Sequence, residues 1–245
     1  MSNTTIRLIT ILLFSVAATS SLSAQTTPGP AWKNGVAQLG TVRVDAVNRS
    51  VIATGWVNQV EGLIELLACG PGGKCHESLF VLPINPLDLQ TGLLLLGLKP
   101  GLPPGDADLG KRAPRENGAT TAQARGPTGP EVDIWVDWQV NGKTRSVRAE
   151  KMVKNTETKR PLPGTGWTFT GSVVEKGEFM AKAEESFVAT FWDPWAILNL
   201  TLPCGADGDI LVINTANAPP LGASITMRFV KRRTFGERFR LLFGK

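Results

Sequence analysis

Three residue types are scarce in this 245-residue chain: it has three cysteines, one histidine and no tyrosine. A single histidine rules out the His-Glu-x-x-His zinc arrangement, which needs two imidazoles on one helix face. Three cysteines allow one disulfide with a thiol left over, not a densely cross-linked scaffold. No Gly-x-Ser-x-Gly elbow, Walker loop or dinucleotide fingerprint occurs. The apolar run Leu8–Ala18 is eleven residues, about half of what a bilayer span requires. Arg7 precedes it and "TSSLSA", ending at Ala24, follows it, so residues 1–24 have the layout of a secretory signal. No cysteine lies near that cut, and a lipid anchor is not expected. The expected mature protein, about 220 residues, is periplasmic or secreted and long enough for one large core.

Positive charge is confined as well. The chain carries 26 basic and 21 acidic residues, but the tail 231–245 alone holds six basic residues and one acidic. Without that tail and Arg7 the body is near −1. A pI of about 9.3 therefore describes a tail, and a broad nucleic-acid-binding face is not expected. In the tail, Phe235, Phe239 and Leu242 recur at helical spacing among Arg and Lys. Such a segment can make peripheral contact with an anionic membrane or dock as a last helix; both readings stand.

What is present is mostly strand. After an N-terminal extension, 25–40, "VRVDAVNRSVIATGWV" reads as two strands around a turn at Asn48–Ser50. "LIELLACGPGGKCHESLFVL" reads as a second hairpin turning at Gly70–Gly73. "NPLDLQTGLLLLGLKPG" is the clearest helix, with Asn85 as cap, Pro86 at the first position and Gly97 at the end. Leu93 to Leu96 point around all its sides, so it is expected to be buried on most faces, with Gly92 permitting a close approach. Residues 99–130, rich in Gly, Pro and charge, read as a long exposed loop. "EVDIWVDWQVNGKTRSVRAEKMV" alternates around Asn141-Gly142, the strongest hairpin signal in the chain. Further strands follow in "TGWTFTGSVV", "ESFVATFW", "DILVIN" and "SITMRFV". A short second helix is expected at "DPWAILNL", capped by Asp193. The sum is an α+β fold: a mostly antiparallel sheet over 41–230 with a buried Leu-rich helix and a short second helix packed on it.

The scarce residues meet in "ACGPGGKCHESLF", Ala68 to Phe80. As an antiparallel hairpin with Cys69 opposite Cys75, this stretch puts His76 and Ser78 on one face and Cys75, Glu77 and Glu65 on the other. Cys75 and His76 then point apart, which disfavours a Cys–His dyad. Ser78 and His76 share a face, but diverge beyond the roughly 3 Å that a catalytic hydrogen bond needs. Opposed cysteines fit a Cys69–Cys75 disulfide over a short loop, worth about 2 kcal/mol on the loop-entropy model. A metal site would need His76 joined by cysteines and carboxylates from elsewhere. His76-Glu77-Ser78 with Glu65 is either a structural triplet or a ligand-binding cluster. One histidine near neutral pH can serve as acid or base, but the other parts of an active site are not visible. Seven tryptophans are read mainly as core, with Trp135 and Trp138 on opposite sides of their strand.

The order of Glu65 and its strand, the Gly-rich turn, His76-Glu77-Ser78, a strand, and the helix Leu93–Gly97 resembles the YdjY-type domain of exported bacterial proteins. The resemblance continues through "GPEVDIWVDW", "WTFTGS", Asp193-Pro194 and "ASITMRF", while the 99–130 loop and the basic tail depart from it. It implies an exported setting and an α+β architecture, and no particular reaction or cofactor. The ferredoxin-like label of some relatives does not transfer, since a cluster needs about four cysteine ligands. The leading expectation is thus a non-enzymatic binding or interaction module in the cell envelope. Its partner, protein or small molecule, would sit at Glu65, His76, Glu77 and Ser78. The alternatives are a metal- or thiol-dependent periplasmic enzyme or redox protein using His76, Glu77 and cysteines, and a structural envelope protein attached through 231–245.

Overall fold

β-branched and aromatic residues recur at every second position between turns, and the chain folds almost wholly as strands. The computed structural model describes residues 29–105 and 125–233. The leader 1–24, the middle of the 99–130 loop and most of the basic tail lie outside these. Part of the expected extension is sheet: β1 (Trp32–Lys33) and β2 (Val36–Leu39) lead antiparallel into β3 (Val42–Asp45) and β4 (Ser50–Val57). Next come β5 (Leu66–Cys69), a 3-10 turn at Cys75–Glu77, β6 (Ser78–Val81) and helix α1 (Pro86–Leu95). The hairpin of β7 (Glu131–Val140) and β8 (Lys143–Arg148) turns as expected at Asn141-Gly142, both left-handed at φ 51° and 74°.

The second half is more broken. β9 (Val153–Asn155) and β10 (Arg160–Pro161) precede β11 (Trp167–Phe169), then β12 (Val174–Glu175), β13 (Glu178–Phe179) and a four-residue α2 (Met180–Ala183). β14 (Ser186–Ala189), β15 (Leu198–Leu200), β16 (Leu211–Ile213) and β17 (Ser224–Lys231) complete the set. β10, β9 and β16 make a small side sheet.

The main sheet closes on itself, and this corrects the expected α+β fold. Strands β4, β17, β7, β11, β15, β14, β5 and β6 pair in that order, and β6 returns to β4 through Trp56↔Val81 and Val57↔Phe80. The result is an eight-stranded barrel, mixed because β5/β6 and β14/β15 run parallel. Closure removes the open edges of a sheet. Alternate residues such as Val132, Ile134 and Val136 or Ile225, Met227 and Phe229 fill the interior, with Trp167, Phe169, Phe187 and Phe80.

Helix is subordinate. Asn85 caps α1 by accepting from the Leu87 N–H, and Pro86 takes the first position. Only Pro86, Leu89, Gly92 and Leu93 are buried, however, while Leu94 and Leu95 are exposed. The run of leucines does not mean burial on every side, because α1 lies on one face of β3 and β4. A Cβ on Gly92 would stand 3.0 Å from both methyls of Val51, so the close approach is to valine side chains. Lys231 Nζ donates to the carbonyl oxygens of Leu96 (3.0 Å) and Gly97 (3.4 Å), satisfying the helix end. The second helix expected at Asp193 is a turn followed by β15.

Candidate functional site

The stretch that holds the scarce residues is not a hairpin. β5 and β6 are parallel neighbours, with Leu66 opposite Ser78 and Ala68 opposite Phe80. The chain gets from one to the other through the loop Gly70–Lys74 and the 3-10 turn. Glu185 anchors that loop: its Oε2 accepts the Gly72 N–H at 2.6 Å and its carbonyl accepts the Gly70 N–H at 2.8 Å. Glycine is needed at 70, where a Cβ would lie 2.1 Å from Glu185 Oε2. Asn58 Nδ2 ties down the far end by donating to the Cys75 and Ser78 carbonyls.

Parallel pairing changes which groups meet. The Glu65 N–H donates to the Glu77 carbonyl at 3.0 Å, so the two glutamates are direct neighbours on adjacent chains. Lys74 Nζ lies 2.8 Å from Glu65 Oε2 and 3.9 Å from Glu77 Oε2, and His76 Nε2 is 3.6 Å from Glu77 Oε1. Burial, a hydrogen bond with Glu65 and that neighbour's charge hold the Glu77 carboxyl above its ordinary value. Burial pulls Lys74 the other way, but the bond to Glu65 and the charges of both glutamates leave it raised, hence firmly cationic. His76 projects outward with 77% of its side chain exposed, while Glu65 is only 18% exposed. The cluster is a half-sunken carboxyl pair holding one ammonium, rimmed by an imidazole.

The remaining expected site residues are elsewhere in role. Ser78 is fully buried and its hydroxyl donates to the Lys74 carbonyl at 2.7 Å, so it shapes the loop. Cys69 and Cys75 are free thiols with Sγ atoms 3.7 Å apart, packed with Leu66, Val81, Ala189 and Ala196 outside the barrel. Burial pushes the Cys69 thiol up to about 12, which makes it a poor nucleophile at neutral pH. Among the described residues, no three histidine, cysteine or acidic side chains are placed to hold a metal ion.

Sequence reasoning passed over two members. Lys74 stood inside the quoted stretch, but an antiparallel register gave it no acidic partner. Asp193 was read as a helix cap. Its carboxylate instead accepts from Ser186 Oγ (2.6 Å) and the Trp195 N–H (2.9 Å), behind the cluster. Burial keeps it above its ordinary value against those two bonds, and Lys74 and Glu65 are near enough to act on it. Asn199 Oδ1 accepts the Asp193 N–H and its Nδ2 donates to the Asp193 carbonyl, fixing the turn.

No helix among the described residues is long and apolar enough to cross a membrane. No curated protein and no solved structure matches the chain. The YdjY domain model matches residues 42–227, a span that runs from β3 into β17 and takes in every strand of the barrel and the whole carboxyl–lysine cluster. The chain belongs to the YdjY domain family.

Proposed function

We propose that this protein is an exported binding module whose site is the Glu65–Glu77 pair with its Lys74 ammonium and His76 at the rim. The observation that carries this reading is the 2.8 Å contact between Lys74 and Glu65 beside a second, hydrogen-bonded carboxyl. An arrangement that holds one ammonium accepts another, so the ligand class is a primary amine that displaces Lys74, on a small molecule or a lysine-bearing partner. Export follows from the leader 1–24 as read from its residue order. An oxidising compartment would convert the adjacent Cys69 and Cys75 thiols into a staple under the same loop.

His76 is the only histidine, so its imidazole Cε1–H signal is a single reporter at the site. Titration with cadaverine, and separately with an N-blocked lysyl peptide, should shift that signal with saturation in the ~1 mM range. Glu65→Gln combined with Glu77→Gln should abolish the shift while the circular dichroism stays the same. An imidazole signal unmoved up to ~10 mM amine would refute the reading.

A further inference from the structure

On the other side of the molecule the barrel presents an uncovered sheet face, and its side chains are ordered by register. Arg43 of β3, Ile52 of β4, Arg228 of β17, Trp135 of β7 and Arg148 of β8 stand opposite one another in a single row. Two clefts flank this row and share Arg43, Ile52 and Arg228, one of about 500 Å³ and one of about 610 Å³. The first runs toward Asp45, Ser50 and Val230, the second toward Thr54, Thr226 and Trp56. Five strands make the face about 19 Å wide. We propose that this groove binds an uncharged polysaccharide chain lying across the strands.

Electrostatics selects the class. Arg228 donates to both oxygens of Asp137 at 2.5 and 3.0 Å and to Ser146 at 3.1 Å. Arg148 pairs with Asp133 at 3.0 Å and Glu150 at 2.5 Å, and Asp45 feels the charge of Arg43. Three arginines are thus balanced by neighbouring carboxylates, and the face offers no net field to a polyanion. What it offers is rigid planar donors beside rigid acceptors, the pairing that vicinal hydroxyls satisfy, together with the hydroxyls of Thr54, Thr226 and Ser146.

Aromatics set the length. Trp135 is held between the guanidinium groups of Arg148 and Arg228, 5.6 and 5.9 Å from its ring. Trp56, 38% exposed, stands two strands across and four residues along from it, about 16 Å away on strand geometry. Two indole platforms so far apart cannot both meet one sugar ring. They fit the apolar faces of separate rings in one chain.

Calorimetric titration of the full chain with glucose, cellohexaose and chitohexaose tests this. Binding of at least one hexaose and none of the monosaccharide is expected. Trp56→Ala and, independently, the exposed Thr54→Glu should each weaken it about tenfold, with unchanged circular dichroism and an unchanged His76 response to cadaverine. Failure of both hexaoses to bind up to ~10 mM overturns the proposal. So does binding that neither substitution alters. Tighter binding of dextran sulfate that collapses with added salt would also overturn it, since that is the signature of a polyanion surface.

Discussion

Asp193 and Glu77 are carboxyls held above their ordinary values by burial, the latter also by a second carboxyl. A raised folded-state pKa means that the charged form is disfavoured in the fold. The stability associated with such a group is complete below its unfolded value, 3.8 for Asp193, and is lost as pH rises through the folded value. Asp193→Asn keeps one acceptor for the Trp195 N–H and can donate to Ser186. The fall in thermal midpoint from pH 4 to pH 7 should therefore be shallower in this variant than in the parent. Asp137 and Asp45 act the other way: burial would raise them, but Arg228 and Asn48 respectively leave them lowered. Their contribution is present above 3.8 and lost below it, so acid unfolding should begin in that range. Glu150 is the most sensitive single carboxylate. It is fully buried and accepts from Arg148 and from the Gly166 N–H at 2.9 Å. Glu150→Ala leaves part of a guanidinium without its partner and should cost about 3 kcal/mol in urea unfolding, the range for breaking a buried pair.

At the scale of elements, two glycines that look alike in sequence have different work. Gly55 lies in β4 just before the pairs that close the barrel. A Cβ there would sit 2.1 Å from the Val81 carbonyl oxygen and 2.7 Å from Leu82 Cδ2. Backbone cannot move aside as a side chain can, and Gly55→Ala should destabilise by about 3 kcal/mol or more. Gly92 faces valine methyls at 3.0 Å. There the crowding is offset by the better helix propensity of alanine, about 1 kcal/mol, so Gly92→Ala should change little. Parallel chemical-denaturation curves for the two variants measure this contrast, and equal effects would place the closure of the barrel elsewhere. The basic tail is also altered by its attachment: Lys231 caps α1, and Arg232 pairs with Glu131 and Asp133. Two of its six positive charges are thereby committed to the body, which weakens the case for a membrane anchor.

For the whole molecule, the cysteines decide which state is the more stable. Closing the 69–75 loop should add about 2 kcal/mol on the loop-entropy model, a thermal shift of about 4–8 °C for a chain of this size. Melting the oxidised protein with and without reductant measures it, and Cys75→Ser should abolish the difference. No difference in the parent would mean that the thiols stay unbridged. Cys204 lies apart in the Pro203–Ala206 turn and should remain open to alkylation in both states.

Local chemistry was sufficient for the individual elements. The Asn141-Gly142 turn, the capped start of α1, the strand pair at 42–57 and the opposite facing of Trp135 and Trp138 all follow from backbone preference and period-two patterning. Proximity along the chain also showed that Glu65, His76, Glu77 and the cysteines belong together. Long-range pairing was decided only by the tertiary structure. An eight-residue link can serve an antiparallel hairpin or, as here, a tight parallel crossover, and the strand pattern is the same in both. The actual register brings Lys74 between Glu65 and Glu77, and folds Asp193 in behind them. Closure of the sheet rests likewise on two residue pairs, Trp56↔Val81 and Val57↔Phe80, and periodicity within a strand carries no information about which strand will be its neighbour.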